Sequence, residues 1–194
     1  PSWKLRTNLA GPQIVLLGKA GSGKSSTGNT ILNSQYFEKS ISPDSVTKTC
    51  EHQEVGTDEM MISVIDTPGL FDTRMSEQEV EHEIKNCVEK SLPGPHVFLL
   101  VIRLDVKFTE EEKNTVKWIQ ENFGEEAASY SIILFTHADH LKEQSLDEYI
   151  RESNDLQALV NECGGRFHSF NNNDTQNRSQ SYIKKLSWLF QVLF

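Results

Sequence analysis

The run Gly18-Lys19-Ala20-Gly21-Ser22-Gly23-Lys24-Ser25 has the spacing G-x-x-x-x-G-K-[ST]. Glycines so placed let the backbone curl until successive N–H groups and the start of a following helix converge on one anion. Lys24 then bridges neighbouring phosphoryl groups, and Ser25 offers its hydroxyl to Mg²⁺. Gly21, Ser22, Gly23, Lys24, Ser25 and Ser26 form the expected phosphate-contacting stretch. Further on, Asp66-Thr67-Pro68-Gly69 closes an apolar run, the place for a carboxylate that holds Mg²⁺ through water. The Gly69 N–H is then set to meet a terminal phosphate.

Two later segments have the chemistry to read a base. Thr136-His137-Ala138-Asp139 resembles the guanine motif [NT]-K-x-D, with His137 where lysine is usual. A buried Asp139 carboxylate would accept from guanine N1–H and the exocyclic amine, groups that adenine lacks or reverses. His137 is placed to stack over that base. Phe170-Asn171-Asn172 is expected to present backbone N–H groups and a side-chain amide to the guanine O6, from Asn171 and Asn172. Each motif alone has an ordinary reading: a turn after a strand, a capping aspartate or an Asn-rich turn.

The surrounding pattern supplies the elements these residues need. Gln13–Leu17 reads as a strand and Ser25–Leu32 as a helix, so the glycine-rich run lies between them. Thr49–Val55 and Met60–Ile65 read as strands separated by a turn short enough for an antiparallel hairpin. Capping-box patterns at Ser76–Glu79, Thr109–Glu112 and Ser145–Glu148 each predict a helix start. The helix opened by Thr109 is expected to run through Val116, Ile119 and Phe123 to Gly124. Val97–Ile102, Ser131–Phe135 and Arg166–Phe170 read as further strands, and a last helix is expected from Ser179, with an apolar stripe over Ile183, Leu186, Phe190 and Leu193. The alternation predicts an α/β domain, a mostly parallel sheet covered by helices with one antiparallel edge.

Composition narrows the classes. With 194 residues, 28 acidic against 19 basic and a net charge of -9, one domain is the natural organisation. An acidic surface opposes broad nucleic-acid or anionic-lipid affinity, so no nucleic-acid partner is expected. The longest apolar run, Val97–Ile102, is far short of the ~20 residues a membrane-spanning helix needs. Cys50, Cys87 and Cys163 are three and widely spaced, which suits a reducing compartment and has no metal-ligand spacing. The sequons at Asn173 and Asn177 read as chance matches, and Pro1 as the start of a processed or cloned fragment.

Four motifs in this order, with the surrounding text, resemble the GIMAP family, the GTPases of immunity-associated proteins. The resemblance rests on G-K-A-G-S-G-K-S-S-T-G-N-T-I-L, V-T-K-T-C, D-T-P-G-L-F-D, P-G-P-H-V-F-L-L-V, F-T-E-E-E and F-N-N, and it covers Gln13 to about Leu193. Septins and plastid outer-envelope import GTPases share parts of it. The resemblance implies a P-loop GTPase fold over residues 1–194, with six strands in the order 2-3-1-4-5-6 and helices on both faces. It implies GTP and GDP with Mg²⁺ as ligands, homodimers through the G domains, and weak hydrolysis. A cytoplasmic protein is expected, reaching organelle membranes only through a C-terminal part cut away here.

By the same resemblance Ser45–Cys50 is switch I, with Thr47 as first choice to reach Mg²⁺ and the terminal phosphate and Thr49 as second. Leu70 stands where efficient GTPases often carry a water-orienting glutamine, so catalytic help must come from elsewhere. Lys107, before Phe108-Thr109-Glu110, occupies the place of an arginine that some family members use across the dimer, and Arg103 is the alternative.

Overall fold

The computed structural model describes residues 11–38, 49–56, 61–91 and 94–172. Their strands are β1 (Gln13–Leu17), β2 (Glu51–Gly56), β3 (Met61–Asp66), β4 (Val97–Arg103), β5 (Ser131–Thr136) and β6 (Phe167–Ser169). The helices are α1 (Lys24–Leu32), α2 (Glu77–Lys90), α3 (Glu110–Lys113), α4 (Thr115–Phe123), α5 (Leu146–Arg151) and α6 (Asn154–Glu162). The sheet order is β2-β3-β1-β4-β5-β6, antiparallel only between β2 and β3. This is the expected mixed sheet, and the strand order is the one the resemblance implied.

Central strands buried on both faces read as near-continuous apolar runs, and β1, β4 and β5 do over residues 14–17, 97–102 and 132–135, with polar residues only at their ends. Successive side chains alternate between two cores. Val15, Leu17, Leu100 and Ile133 face α2, α4, α5 and α6; Ile14, Leu16, Leu99 and Ile132 face Ile31 and Leu32 of α1. The edge strand β2 alternates half-buried and exposed residues and puts His52 and Glu54 outward, a polar surface that discourages further pairing.

The three capping boxes at Ser76, Thr109 and Ser145 are all reciprocal, the hydroxyl accepting from the third helical N–H and the glutamate accepting from the cap's own N–H. The helix expected from Thr109 to Phe123, however, is two. Asn114 closes α3 and opens α4 at φ -80°, ψ -1°, and the Thr115 hydroxyl donates to the Glu111 carbonyl, a back-bond that bends helices. Glu125–Tyr130 forms a 3-10 turn between α4 and β5. The helix expected from Ser179, the tip of the β2–β3 turn and both sequons lie outside the described residues.

Parallel pairing sends the chain out of β1, β3, β4, β5 and β6 at one edge of the sheet. The chain order reverses at β1, flanked by β3 and β4, and such a switch point is where open α/β sheets bind ligands. Register brings the motifs level there: Leu16 pairs with Asp66, Leu17 with Leu100 and Arg103 with Thr136.

Candidate functional site

The glycine-rich loop curls from β1 into α1. Gly21 and Gly23 have φ of 74° and 97°, left-handed conformations that a side chain would strain. Gly23 caps α1 without a side-chain acceptor, and the first turn of α1 has no acidic residue. The starts of α2, α3 and α5 are capped by hydroxyls and carry glutamates, so α1 differs in leaving its first amides and positive dipole end to an anion.

Lys24 folds back under this loop, buried, and its Nζ donates to the Gly18 carbonyl at 3.0 Å and the Lys19 carbonyl at 2.9 Å. Burial lowers its pKa to about 8, against the opposing pull of Asp66 and Asp72. Beside it the Ser25 hydroxyl donates to Asp66 Oδ2 at 2.5 Å. Asp66 is 1 % exposed, and its Oδ1 is buried with no hydrogen-bond partner among the described residues. Burial raises the Asp66 pKa, a cost that the Ser25 hydrogen bond and the Lys24 charge only oppose. An unpaired buried carboxylate oxygen next to a hydroxyl is a hard-oxygen donor set that fits Mg²⁺, whose remaining ligands would be water and phosphate.

The turn after Asp66 is fastened to the loop. The Thr67 hydroxyl donates to the Leu16 carbonyl at 2.6 Å, and the Leu70 N–H donates to the Gly18 carbonyl at 2.9 Å. A Cβ on Gly69 would lie 2.5 Å from the Ala20 nitrogen and 2.7 Å from its Cα, so only glycine permits this approach. The Leu70 side chain, 1 % exposed, points into the α2 side of the core. It therefore has no access to a water molecule at all.

At the other end of the edge, the buried Thr136 hydroxyl donates to the Ser22 carbonyl at 2.9 Å, tying the end of β5 to the glycine-rich loop. His137 is half-buried in a left-handed conformation, its Nδ1 3.1 Å from that hydroxyl. Asp139 is exposed in the 3-10 turn Ala138–Leu141, which corrects the expected burial of its carboxylate: the turn lifts away from the sheet as soon as β5 ends. The segment after β6 docks on both neighbours. The Ala138 N–H donates to the Phe170 carbonyl at 3.2 Å, and the Asn172 amide donates to Thr27 and accepts from Thr30 of α1. The Asn172 side chain thus braces α1, and Asn171 lies next to it at the same edge.

Of the two candidate cations, Arg103 ends β4 in a forked pair with Asp105, Nε to Oδ1 at 2.8 Å and Nη2 to Oδ2 at 2.5 Å. Its Nη1 donates to the Gly21 carbonyl at 3.3 Å, which places the guanidinium beside this chain's own loop. That pairing holds the Asp105 carboxyl down at about 2. Lys107 is exposed, four residues further on. Thr47 lies outside the described residues; Thr49, the second choice, is exposed just before β2. Asp105 was missed in the sequence, where an aspartate two residues after an arginine is ordinary surface text. The cysteines, too far apart in sequence to suggest a site, are not all apart in space: Cys50 and Cys87 meet.

A glycine-rich loop, a buried serine–carboxylate pair and the loops after β5 and β6 converge at the switch point of an α/β sheet; this class of domain handles nucleotides. The AIG1 family model matches residues 12–192, and the chain belongs to that family. It is 37 % identical to the human protein GTPase IMAP family member 8 over 180 residues, covering 93 % of this chain and 27 % of that protein. It is 39 % identical to the Arabidopsis thaliana Immune-associated nucleotide-binding protein 3, covering 82 % of this chain and 49 % of that one. The chain therefore spans between about a quarter and a half of these curated relatives. Two solved structures of chloroplast translocon components share the fold at 23 % identity. One, from work on atToc33 and psToc159 describing dimerization as important for their GTPase activity, superposes with a TM-score of 0.65 over 97 % of this chain and 70 % of that one. The other, Arabidopsis Toc33 with GDP and Mg²⁺, gives 0.64 over 88 % and 74 %.

Gly69→Ala should push the turn off Ala20 and break the Leu70–Gly18 hydrogen bond. A loss of about 1–3 kcal/mol by urea unfolding is expected, with faster hydrogen exchange at the Leu70 amide. An unchanged midpoint and unchanged exchange would refute the close packing.

Proposed function

We propose that this chain is a guanine-nucleotide-binding domain that binds GTP and GDP with Mg²⁺ and hydrolyses GTP slowly, with assembly into a homodimer controlling both rate and signal. The observation that carries this reading is the convergence of Lys24, Ser25 and Asp66 under one glycine-rich loop. In it the amides of Gly21 to Ser26 and the Lys24 ammonium hold the phosphates. Ser25, and Asp66 through water, hold Mg²⁺, with Thr47 completing that shell when the terminal phosphate is present. Mg²⁺ supplies charge neutralisation at the phosphates. Asp139 reads the guanine edge, His137 covers the base, and Asn171 with the backbone at Asn172 meets the O6 side.

The rate is slow because the Leu70 side chain is sealed in the core and orients no water. Arg103, held by Asp105 against the Gly21 carbonyl, serves its own loop, whereas exposed Lys107 is free to approach a second chain's nucleotide. The same buried Leu70 favours a second reading, a scaffold that binds GTP and oligomerises without turnover. Any membrane association belongs to chain outside this domain; no helix among the described residues is long and apolar enough to cross a membrane.

Single-turnover GTP hydrolysis at increasing protein concentration separates the two readings. The enzyme reading expects the rate constant to rise with concentration and to fall about tenfold or more in Lys107→Ala at unchanged GTP affinity. A concentration-independent rate near the uncatalysed one leaves the scaffold.

Asp139→Asn should weaken GTP by a few kcal/mol and shift preference toward xanthosine triphosphate, since an amide suits a base whose donor at C2 has become a carbonyl. Equal calorimetric affinities of both variants for both nucleotides would remove Asp139 from the base site.

Lys24, lowered to about 8 from 10.5, should return toward its ordinary value when phosphate oxygens lie against it. GDP binding at about pH 8.5 should therefore take up a proton, binding near pH 6.5 should take up none at this group, and affinity should fall as pH rises through 8. Calorimetry in two buffers of different ionisation heat measures this. No uptake at the higher pH would contradict a lysine–phosphate contact.

A further inference from the structure

On the α2 side of the sheet, at the end of β2 where Glu51 pairs with Asp66, three side chains converge that the nucleotide site does not use. Cys50 lies one residue before β2, and Glu83 and Cys87 stand four apart on one face of α2. Their sulfur and carboxylate atoms all lie within 4.8 Å of one another. The Cys50 N–H donates to Glu83 Oε1 at 3.0 Å and its thiol approaches the Glu83 carbonyl at 3.8 Å, so backbone bonds hold Cys50 against α2. All three residues are half-buried, which leaves an approach from solvent. None is disulfide-bonded.

We propose that Cys50, Glu83 and Cys87 form a binding site for one thiophilic divalent cation, Zn²⁺ in particular. Ligand atoms around a tetrahedral zinc lie about 3.5–3.8 Å apart, given bonds of ~2.3 Å to sulfur and ~2.0 Å to oxygen. Small side-chain rotations close the present triangle to that size. Two thiolates select a soft cation over Mg²⁺, which separates this site from the hard-oxygen pair at Ser25 and Asp66. The i, i+4 spacing makes Glu83 and Cys87 a ready chelate, and a carboxylate as third member has no part in a simple thiol pair. Burial first, then the Cys87 sulfur and the negative charges of Glu83 and Asp66, push the Cys50 thiol up, so the empty site is protonated and a metal must displace those protons to bind. Binding exchanges two protons for one metal: Zn²⁺ displaces both thiol hydrogens to solvent, forms two Zn–S bonds and one Zn–O bond, and leaves a fourth position for water, with no change of oxidation state. The bound ion would fasten the start of β2 to α2.

The test uses the protein kept reduced with a phosphine, stripped with a chelator and loaded with Co²⁺ or Zn²⁺ in saturating Mg²⁺. One equivalent of Co²⁺ should give a sulfur-to-metal charge-transfer band and tetrahedral visible bands, both erased by Zn²⁺. Zinc X-ray absorption on the unaltered chain should show two sulfur ligands with oxygen completing the shell. Cys50→Ser and Cys87→Ser should each weaken Zn²⁺ about tenfold or more and Glu83→Gln by less, while Cys163→Ser changes nothing. A zinc shell without sulfur, cobalt bands that survive loss of either cysteine, or a Cys50–Cys87 disulfide forming in place of metal uptake would each overturn the site. The absorption experiment needs no variant, so a substitution that fails to fold does not rescue the proposal.

Discussion

The Gly18 carbonyl oxygen accepts from Lys24 Nζ at 3.0 Å and from the Leu70 N–H at 2.9 Å. The phosphate-side lysine and the turn after β3 thus share one acceptor. A buried ammonium needs such partners, because desolvation without them would cost several kcal/mol or drive the group neutral. Its pKa of about 8 shows the balance: two carbonyls and two nearby carboxylates keep the charge tenable but not comfortable. A polyphosphate would improve this arrangement, since it would bring negative oxygens to a lysine already positioned and leave the Gly18 carbonyl bonded to Leu70.

From that shared acceptor the constraint spreads along the sheet edge. Gly69 must touch Ala20, so the turn after Asp66 cannot rise without disturbing the loop. Thr136 holds the Ser22 carbonyl, Phe170 holds Ala138, and Asn172 holds α1, so loops after β1, β5 and β6 form one hydrogen-bonded rim. Such a rim pre-organises a site without needing a large cavity: the geometry is set by strand register, and register is set by two buried apolar faces.

The fold was legible in the sequence because its signals are local and redundant. Three capping boxes marked three helix starts, and the apolar runs at residues 14–17, 97–102 and 132–135 marked the central strands. The break at Asn114 was not legible, because Val116, Ile119 and Phe123 keep helical spacing across a backbone that has already changed direction. In the site, residues fixed by motif spacing fell into place around Lys24, whereas partners fixed by tertiary approach did not. Asp105 meets Arg103 through a turn, and Cys50 meets Glu83 and Cys87 across an element boundary; neither meeting leaves a period or a spacing to read. The exposure of Asp139 is a related miss, since whether a carboxylate is covered depends on how the 3-10 turn leaves the strand rather than on its neighbours in sequence.

Leu70 shows how one residue sets the division of labour between fold and assembly. A polar side chain after Gly69 would lie beside the phosphate loop, where orienting a water is its only reward for giving up burial. Leucine takes the opposite course: it joins Val80 and Ile84 in the core and strengthens the seam between the turn and α2. The gain is a turn that stays docked on Gly18; the loss is the chain's own means of activating water. A domain built this way keeps the turn after β3 fixed against the glycine-rich loop, and the proposed acceleration would enter from a surface that the monomer leaves exposed. Lys107 stands on such a surface, whereas Arg103 is already spent on Asp105 and Gly21. On the proposed reading, rate and association are coupled, because the group that completes the chemistry would arrive with the partner.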